Sequence, residues 1–164
     1  MGTISLRFRA GEFSYVLRME SSSYPPEIRW VIPRQLARSS RPGNPAEEVE
    51  WPAVNAWVLR ARWLGIQTII SFLTDEEVGA YYGRLPVPLH RIYGREGFTV
   101  MRVPLDDHLN AAANHAALIA ISDALPSLPS PWLVHCSAGV DRTGMAVKHI
   151  VEDLGRNRSA SDPA

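Results

Sequence analysis

Cysteine, lysine and long apolar runs are the scarce features of this chain. Cys136 is the only cysteine among 164 residues, which excludes an intrachain disulfide and any cysteine-rich metal centre. Lys148 is the only lysine, and the other 16 basic residues are arginine. Arginine suits two-pronged anion recognition, although a GC-rich genome produces the same bias. Acidic and basic residues balance at 17 each, a net charge of zero, so no general attraction to nucleic acid or to an anionic membrane surface is expected. No apolar run approaches the ~20 residues of a membrane span. Arg7 and Arg9 interrupt the first apolar alternation, so no signal-peptide core is expected, and the default setting is cytoplasmic.

What is present is ordinary for a globule. Hydrophobic residues make up 46% and charged residues 21%, and a chain this long forms one domain that buries about 70% of its unfolded surface. Ile4, Leu6 and Phe8 alternate, Ala10-Gly11-Glu12 can turn, and Phe13, Tyr15 and Leu17 alternate again, the pattern of a β-hairpin. Ser21 to Pro26 reads as a linker, so residues 1–26 form an extension to a domain over 27–155. Residues 156–164, small and polar, are expected to be a disordered tail.

Within the domain, Ile28 to Ile32 is a strand candidate ended by Pro33, and Arg38-Ser39-Ser40-Arg41-Pro42-Gly43 reads as a loop. Glu47 to Trp63 carries Val54, Val58 and Ala61 at helical spacing. Ile66 to Leu73 is a β-branched run suited to a buried parallel strand, and Thr74-Asp75-Glu76-Glu77 signals a helix start. Residues 83–97, rich in glycine and proline, read as irregular. Phe98 to Leu105 is a strand, Ala111 to Leu125 a helix, and Trp132-Leu133-Val134 the last strand. A final helix is expected from about Arg142, with Val147, Ile150, Val151 and Leu154 at helical spacing and Gly155 as its stop. Alternating strands and helices predict an α/β domain with a mostly parallel sheet flanked by helices. Ligands of such sheets bind beyond the carboxyl ends of the strands, where Cys136 falls.

Residues 135–144 read HCSAGVDRTG: His-Cys, five residues with Gly139 among them, Arg, then a hydroxyl residue. A chance match to these five fixed positions is on the order of one in tens of thousands. Five residues between Cys136 and Arg142 can curl into a ring of backbone N–H groups that cradles a tetrahedral oxyanion, with a helix N-terminus behind it. The segment resembles the signature loop of the cysteine-dependent protein tyrosine phosphatase superfamily, and the length and layout resemble its small dual-specificity branch. The likeness is closest over 131–155, looser over 27–130, and missing over 1–26.

The resemblance implies hydrolysis of phosphate monoesters through a phosphocysteine, with phosphotyrosine and phosphoserine or phosphothreonine in proteins, or a small phosphorylated molecule, as substrate. It implies no cofactor and no metal. Cys136 is the expected nucleophile. A free thiol ionises near 8.5, and loop N–H groups with a helix N-terminus favour thiolate at neutral pH. Ser137, Ala138, Gly139, Val140, Asp141 and Arg142 form the expected phosphate loop, with Arg142 gripping two oxygens. By resemblance, Thr143 hydrogen-bonds the sulfur and His135 holds the loop. Asp106-Asp107-His108 ends a strand and resembles the family's mobile acid loop. Asp107, 29 residues before the cysteine, is preferred as general acid because the family's acid often directly precedes Gly or His. Asp106 is the alternative.

Three features depart from this pattern or stand beside it. Family members usually continue with more helices after the one that follows the loop, so a shortened C-terminus is expected. Asp141 stands where a small or uncharged residue is commonest, a feature that resembles lipid-phosphatase-like bacterial relatives and myotubularins and keeps phosphoinositides in play. Arg34, Arg38 and Arg41 read as a solvated charged face, with a pocket rim as the other option. His108 and His115 lack a third ligand and read as ordinary polar residues. Sulfurtransferases and arsenate reductases also use a cysteine in an anion loop, but His135, the five-residue gap and Thr143 favour a phosphatase. A phosphate-binding module with little turnover and an RNA 5′-triphosphatase are the remaining readings, the latter weakened by the neutral charge.

Overall fold

The computed structural model describes residues 27–105 and 111–160. The hairpin expected over 4–17 lies outside them. Among the described residues the sheet has five strands: β1 Arg29–Ile32, β2 Leu36–Ser40, β3 Thr68–Ser71, β4 Thr99–Arg102 and β5 Trp132–Cys136. Their order is β1-β2-β5-β3-β4. Only the edge pair β1–β2 is antiparallel, and β2–β5, β3–β5 and β3–β4 are parallel. The helices are α1 Trp51–Trp63, α2 Asp75–Tyr82, α3 Leu89–Arg95, α4 Ala111–Ala124 and α5 Asp141–Ala160. The domain is therefore α/β with a mostly parallel sheet, as its alternating elements predict.

Adjacent side chains on a strand face opposite sides of a sheet, and the core divides accordingly. Ala37, Ile69 and Leu133 pack with Val54, Trp57 and Val58 of α1 and Leu89, Ile92 and Tyr93 of α3. Their chain neighbours Leu36, Ile70 and Val134 pack with Ile121 of α4 and Ala146 and Ile150 of α5. Strand β5 is buried at every position, because it is central and both its faces are covered. The same alternation sends His135 to Trp57 and Tyr93 on one face and Cys136 to the α4–α5 face.

Three sequence expectations are corrected. The segment read as a loop from Arg38 to Gly43 begins inside β2, which runs beside the central strand with Leu36 opposite Trp132 and Ser40 opposite Cys136. Its serines do not break the strand because their polarity is satisfied: Ser39 Oγ accepts from Trp57 Nε1 at 3.1 Å and donates to the Ser40 carbonyl at 2.8 Å. The stretch 83–97 holds α3, entered by Pro88 at its N-cap and left through Gly97 at φ 90°. Proline before a helix and glycine after it are boundaries, not breakers of what lies between. Finally, Gly155 does not stop α5, which continues to Ala160. A helical glycine costs about 1 kcal/mol relative to alanine, too little to end a helix unless the chain also turns to positive φ. Residues 156–160 are thus helical where a disordered tail was expected.

Candidate active site

The last residue of β5 is Cys136, 3% exposed. Ser137 to Val140 form a loop, and Asp141 begins α5. The whole expected phosphate loop therefore joins the carboxyl end of the central strand to a helix N-terminus. Gly139 makes the fold of this loop possible. Its φ is +74°, and a Cβ there would lie 2.6 Å from both the Ser39 carbonyl oxygen and the Ser40 nitrogen. Only glycine fits such a site. The Gly139 N–H donates to Cys136 Sγ at 3.2 Å, so one loop amide is already turned towards the sulfur.

Strand β2 and Arg41, just past its end, brace the loop from outside. Arg41 N–H donates to the Ser137 carbonyl at 3.0 Å, and its guanidinium Nε donates to Ser137 Oγ at 3.3 Å. The same guanidinium lies 3.6 Å from the Tyr81 ring centroid and donates to the Ala46 carbonyl at 2.7 Å. Arg38 Nη2 donates to the Gly139 carbonyl at 2.6 Å. The expectation that Arg34, Arg38 and Arg41 form a solvated face holds for Arg34 alone, which is exposed. Arg41 is 2% exposed and Arg38 is half-buried.

Arg142 and Thr143 lie in the first turn of α5, both buried. Arg142 is held by an ion pair that sequence reasoning missed. Its Nη2 lies 2.7 Å from Glu77 Oε1 and its Nη1 2.8 Å from Glu77 Oε2, and Nη1 also donates to the carbonyls of Phe72 at 3.1 Å and Leu105 at 2.8 Å. Glu77 is itself fixed by the capping box of α2, accepting from Thr74 N–H at 2.9 Å while its own N–H donates to Thr74 Oγ1 at 3.1 Å. Burial alone would raise the Glu77 pKa, but bonds from Arg142 and the Thr74 amide lower it below its ordinary 4.5. The T-x-x-E spacing at Thr74 marked a helix start, and nothing in it pointed to a partner 65 residues away.

His135 is fully buried, its ring edge-on to Trp57 and Tyr93, with Nε2 3.4 Å from the Tyr93 hydroxyl. Burial pushes its pKa down to about 3, so the ring is neutral and suited to holding structure. Thr143 Oγ1 is buried without a hydrogen-bond partner. Asp141, Ala138 and Val140 are exposed, and an acidic residue in the first turn complements the helix dipole. Asp106, Asp107 and His108 lie outside the described residues. Leu105, just before them, is anchored at the site by its carbonyl on Arg142 Nη1 and by its N–H, which donates to the Phe72 carbonyl at 3.2 Å. His115 is exposed on α4, and among the described residues no three His, Cys, Asp or Glu side chains converge as metal ligands.

A cysteine ending a buried parallel strand, with a loop amide on its sulfur and a helix opening just beyond it, places the site at the carboxyl end of the sheet of an α/β protein. The chain belongs to the tyrosine phosphatase family, whose model matches residues 29–160. Its fold is similar to that of the kinase associated phosphatase with serine in place of the catalytic-site cysteine. The two are 18% identical over 82% of this chain and 85% of that one, with a TM-score of 0.56. It is similar also to the core catalytic domain of the PP-IP phosphatase SIW14 from S. cerevisiae in complex with citrate, at 20% identity over 80% of this chain and 69% of that one, TM-score 0.51. Comparison with curated protein sequences finds no match.

Proposed function

We propose that this protein hydrolyses phosphate monoesters through a phosphocysteine on Cys136, with phosphotyrosine as the principal substrate and phosphoserine and phosphothreonine as further ones. The observation that carries this reading is the Gly139 amide turned onto Cys136 Sγ at the mouth of a helix. The thiolate attacks phosphorus, the P–O bond to the leaving group breaks, and phosphate is transferred to sulfur. Asp107 supplies the proton to the leaving oxygen and then takes one from the water that attacks phosphorus and releases the thiolate. Arg142 and the loop amides of Ser137 to Asp141 hold the transferring oxygens. The buried Thr143 hydroxyl, without a partner of its own, is the donor assigned to the departing sulfur. His135 holds the end of β5.

The charge around the loop favours a singly phosphorylated substrate over a phosphoinositide. Positions 137–141 carry no basic side chain and one acid, Asp141, and Arg38 and Arg41 are engaged in internal bonds. A cytoplasmic setting, which keeps thiols reduced, fits a lone cysteine with no disulfide partner. Among the described residues no helix is long and apolar enough to cross a membrane.

The test is hydrolysis of 4-nitrophenyl phosphate and of phosphotyrosine, phosphoserine, phosphoinositide and RNA 5′-triphosphate substrates, with chelator and with vanadate. Chelator-resistant, vanadate-sensitive turnover led by phosphotyrosine is expected. Cys136→Ser should abolish turnover yet keep substrate binding, since a hydroxyl is nearly isosteric but far less acidic. Full activity in that variant overturns the mechanism, and phosphoinositide preference overturns the substrate.

A further inference from the structure

We propose that Arg38 is a positioning residue for the phosphate loop, turning the Val140 amide inward by holding the Gly139 carbonyl outward. This rests on the reading of residues 137–142 as the oxyanion site. A trans peptide is a rigid plane whose C=O and N–H point opposite ways. In a ring whose N–H groups converge on an anion, the carbonyls must therefore face away and find donors elsewhere. Arg38 Nη2 supplies that donor to the Gly139 carbonyl at 2.6 Å and reaches the Val140 carbonyl at 3.5 Å. The Gly139 carbonyl shares its peptide plane with the Val140 N–H, and the Val140 carbonyl shares its plane with the Asp141 N–H. The Val140 carbonyl is held chiefly by the Gly144 N–H of α5 at 2.7 Å, so Arg38 fixes the direction of the Val140 amide, the last before α5. This is a different amide from the Gly139 N–H that already meets sulfur.

The placement of this charge supports a functional role. Arg38 sits in β2 opposite Val134 of β5, and a Cβ on Gly144 would lie 3.9 Å from its Nη2, so the guanidinium lies against the first turn of α5. A cation at the positive end of a helix is unfavourable by itself. It becomes favourable when an anion occupies the other side of the loop, which adds a second benefit to anion binding beyond amide direction. Arg34, four residues earlier, is exposed and carries no such contact to the loop.

The experiment compares Arg38→Met and Arg38→Lys with the parent, measuring vanadate affinity by calorimetry, kcat and KM on 4-nitrophenyl phosphate, and Tm. Arg38→Met is expected to weaken vanadate and lower kcat/KM together by roughly ten- to a hundredfold, the range of one charge-assisted hydrogen bond. Arg38→Lys, which keeps the charge and one strong donor, is expected to recover at least half of that loss on a logarithmic scale. Parental vanadate affinity in folded Arg38→Met, or Arg38→Lys no better than Arg38→Met, overturns the proposal. Should Arg38→Met fail to fold, Arg38→Gln takes its place against Arg38→Lys with the same outcomes. A parent that binds vanadate but hydrolyses nothing defeats the proposed activity and leaves the vanadate comparison decisive for Arg38. A parent that binds no vanadate overturns both.

Discussion

Glu77 and Arg142 meet edge to edge, both carboxylate oxygens on both terminal nitrogens, at 2.7 and 2.8 Å. One end of the pair belongs to the capping box of α2 and the other to the first turn of α5. A helix start that looks local in sequence thereby sets the direction of the guanidinium assigned to the phosphate.

Glu77→Gln should therefore impair catalysis without touching substrate. A misdirected guanidinium is expected to lower kcat/KM by roughly a hundredfold, with Tm reduced as well. Stability should also respond to pH with a defined sign. The folded-state pKa of Glu77 is lowered, so its contribution is complete above the ordinary 4.5 and disappears as pH falls through the folded value. Urea unfolding from pH 5 down to pH 3 should show a shallower decline in Glu77→Gln than in the parent. An equal slope would remove the ion pair from the account.

His135 gives a second pH signature at higher values. Its folded pKa is about 3 against an ordinary 6.5, so the unfolded chain takes up a proton first. Its contribution is present above pH 6.5 and is lost progressively between 6.5 and 3. His90, pushed down to about 4 mainly by burial, acts in the same direction. Proton NMR should show neither ring titrating between pH 5 and 8 in the folded protein. A His135 resonance shifting near pH 6.5 would contradict a buried neutral ring, and the ring would then enter the activity profile.

Gly139→Ala tests the loop itself. The left-handed backbone costs an L-residue about 1–2 kcal/mol, and the added methyl would meet the β2 backbone at 2.6 Å. Loss of turnover with weakened vanadate binding is expected, together with a lower Tm. An active, equally stable Gly139→Ala protein would mean that the loop does not need this contact with Ser39 and Ser40.

The acid is tested by leaving-group dependence. Asp107→Asn should lower kcat strongly for phenyl phosphates with poor leaving groups, and the loss should shrink as the leaving group becomes more acidic. Asp106→Asn should show a smaller, flat effect. Plotting kcat against leaving-group pKa for both variants decides between them. A steep dependence in Asp106→Asn would exchange the two roles, and none in either would move the acid elsewhere.

The sequence made the strand–loop–helix of residues 132–154 legible because its signals are local: a buried apolar run, a fixed spacing and helical periodicity. What supports that unit was less visible. Strand β2 and the residue after it read as polar because Arg38, Ser39 and Arg41 spend their polarity on distant partners, Gly139, Trp57 and Ser137. Helix α3 is hidden by Pro88 and Gly97, which bound it. Glu77 was seen as a helix start but not as the counter-charge of Arg142, since a tertiary ion pair leaves no mark in either segment.

Strand β5 fills the gap between β2 and β3, although it comes last of the five in the chain. During synthesis from the N-terminus, β2 and β3 are made long before the strand that joins them, and each waits with an unpaired edge. Such non-local pairings are slow to form, and open edges invite association with other chains. The cysteine loop, braced by β2 on one side and by α2 on the other, is therefore among the last parts of the domain to take shape on the ribosome. A growing chain has no preformed Cys136 loop, and the strand–loop–helix unit exists only once the sheet has closed around it.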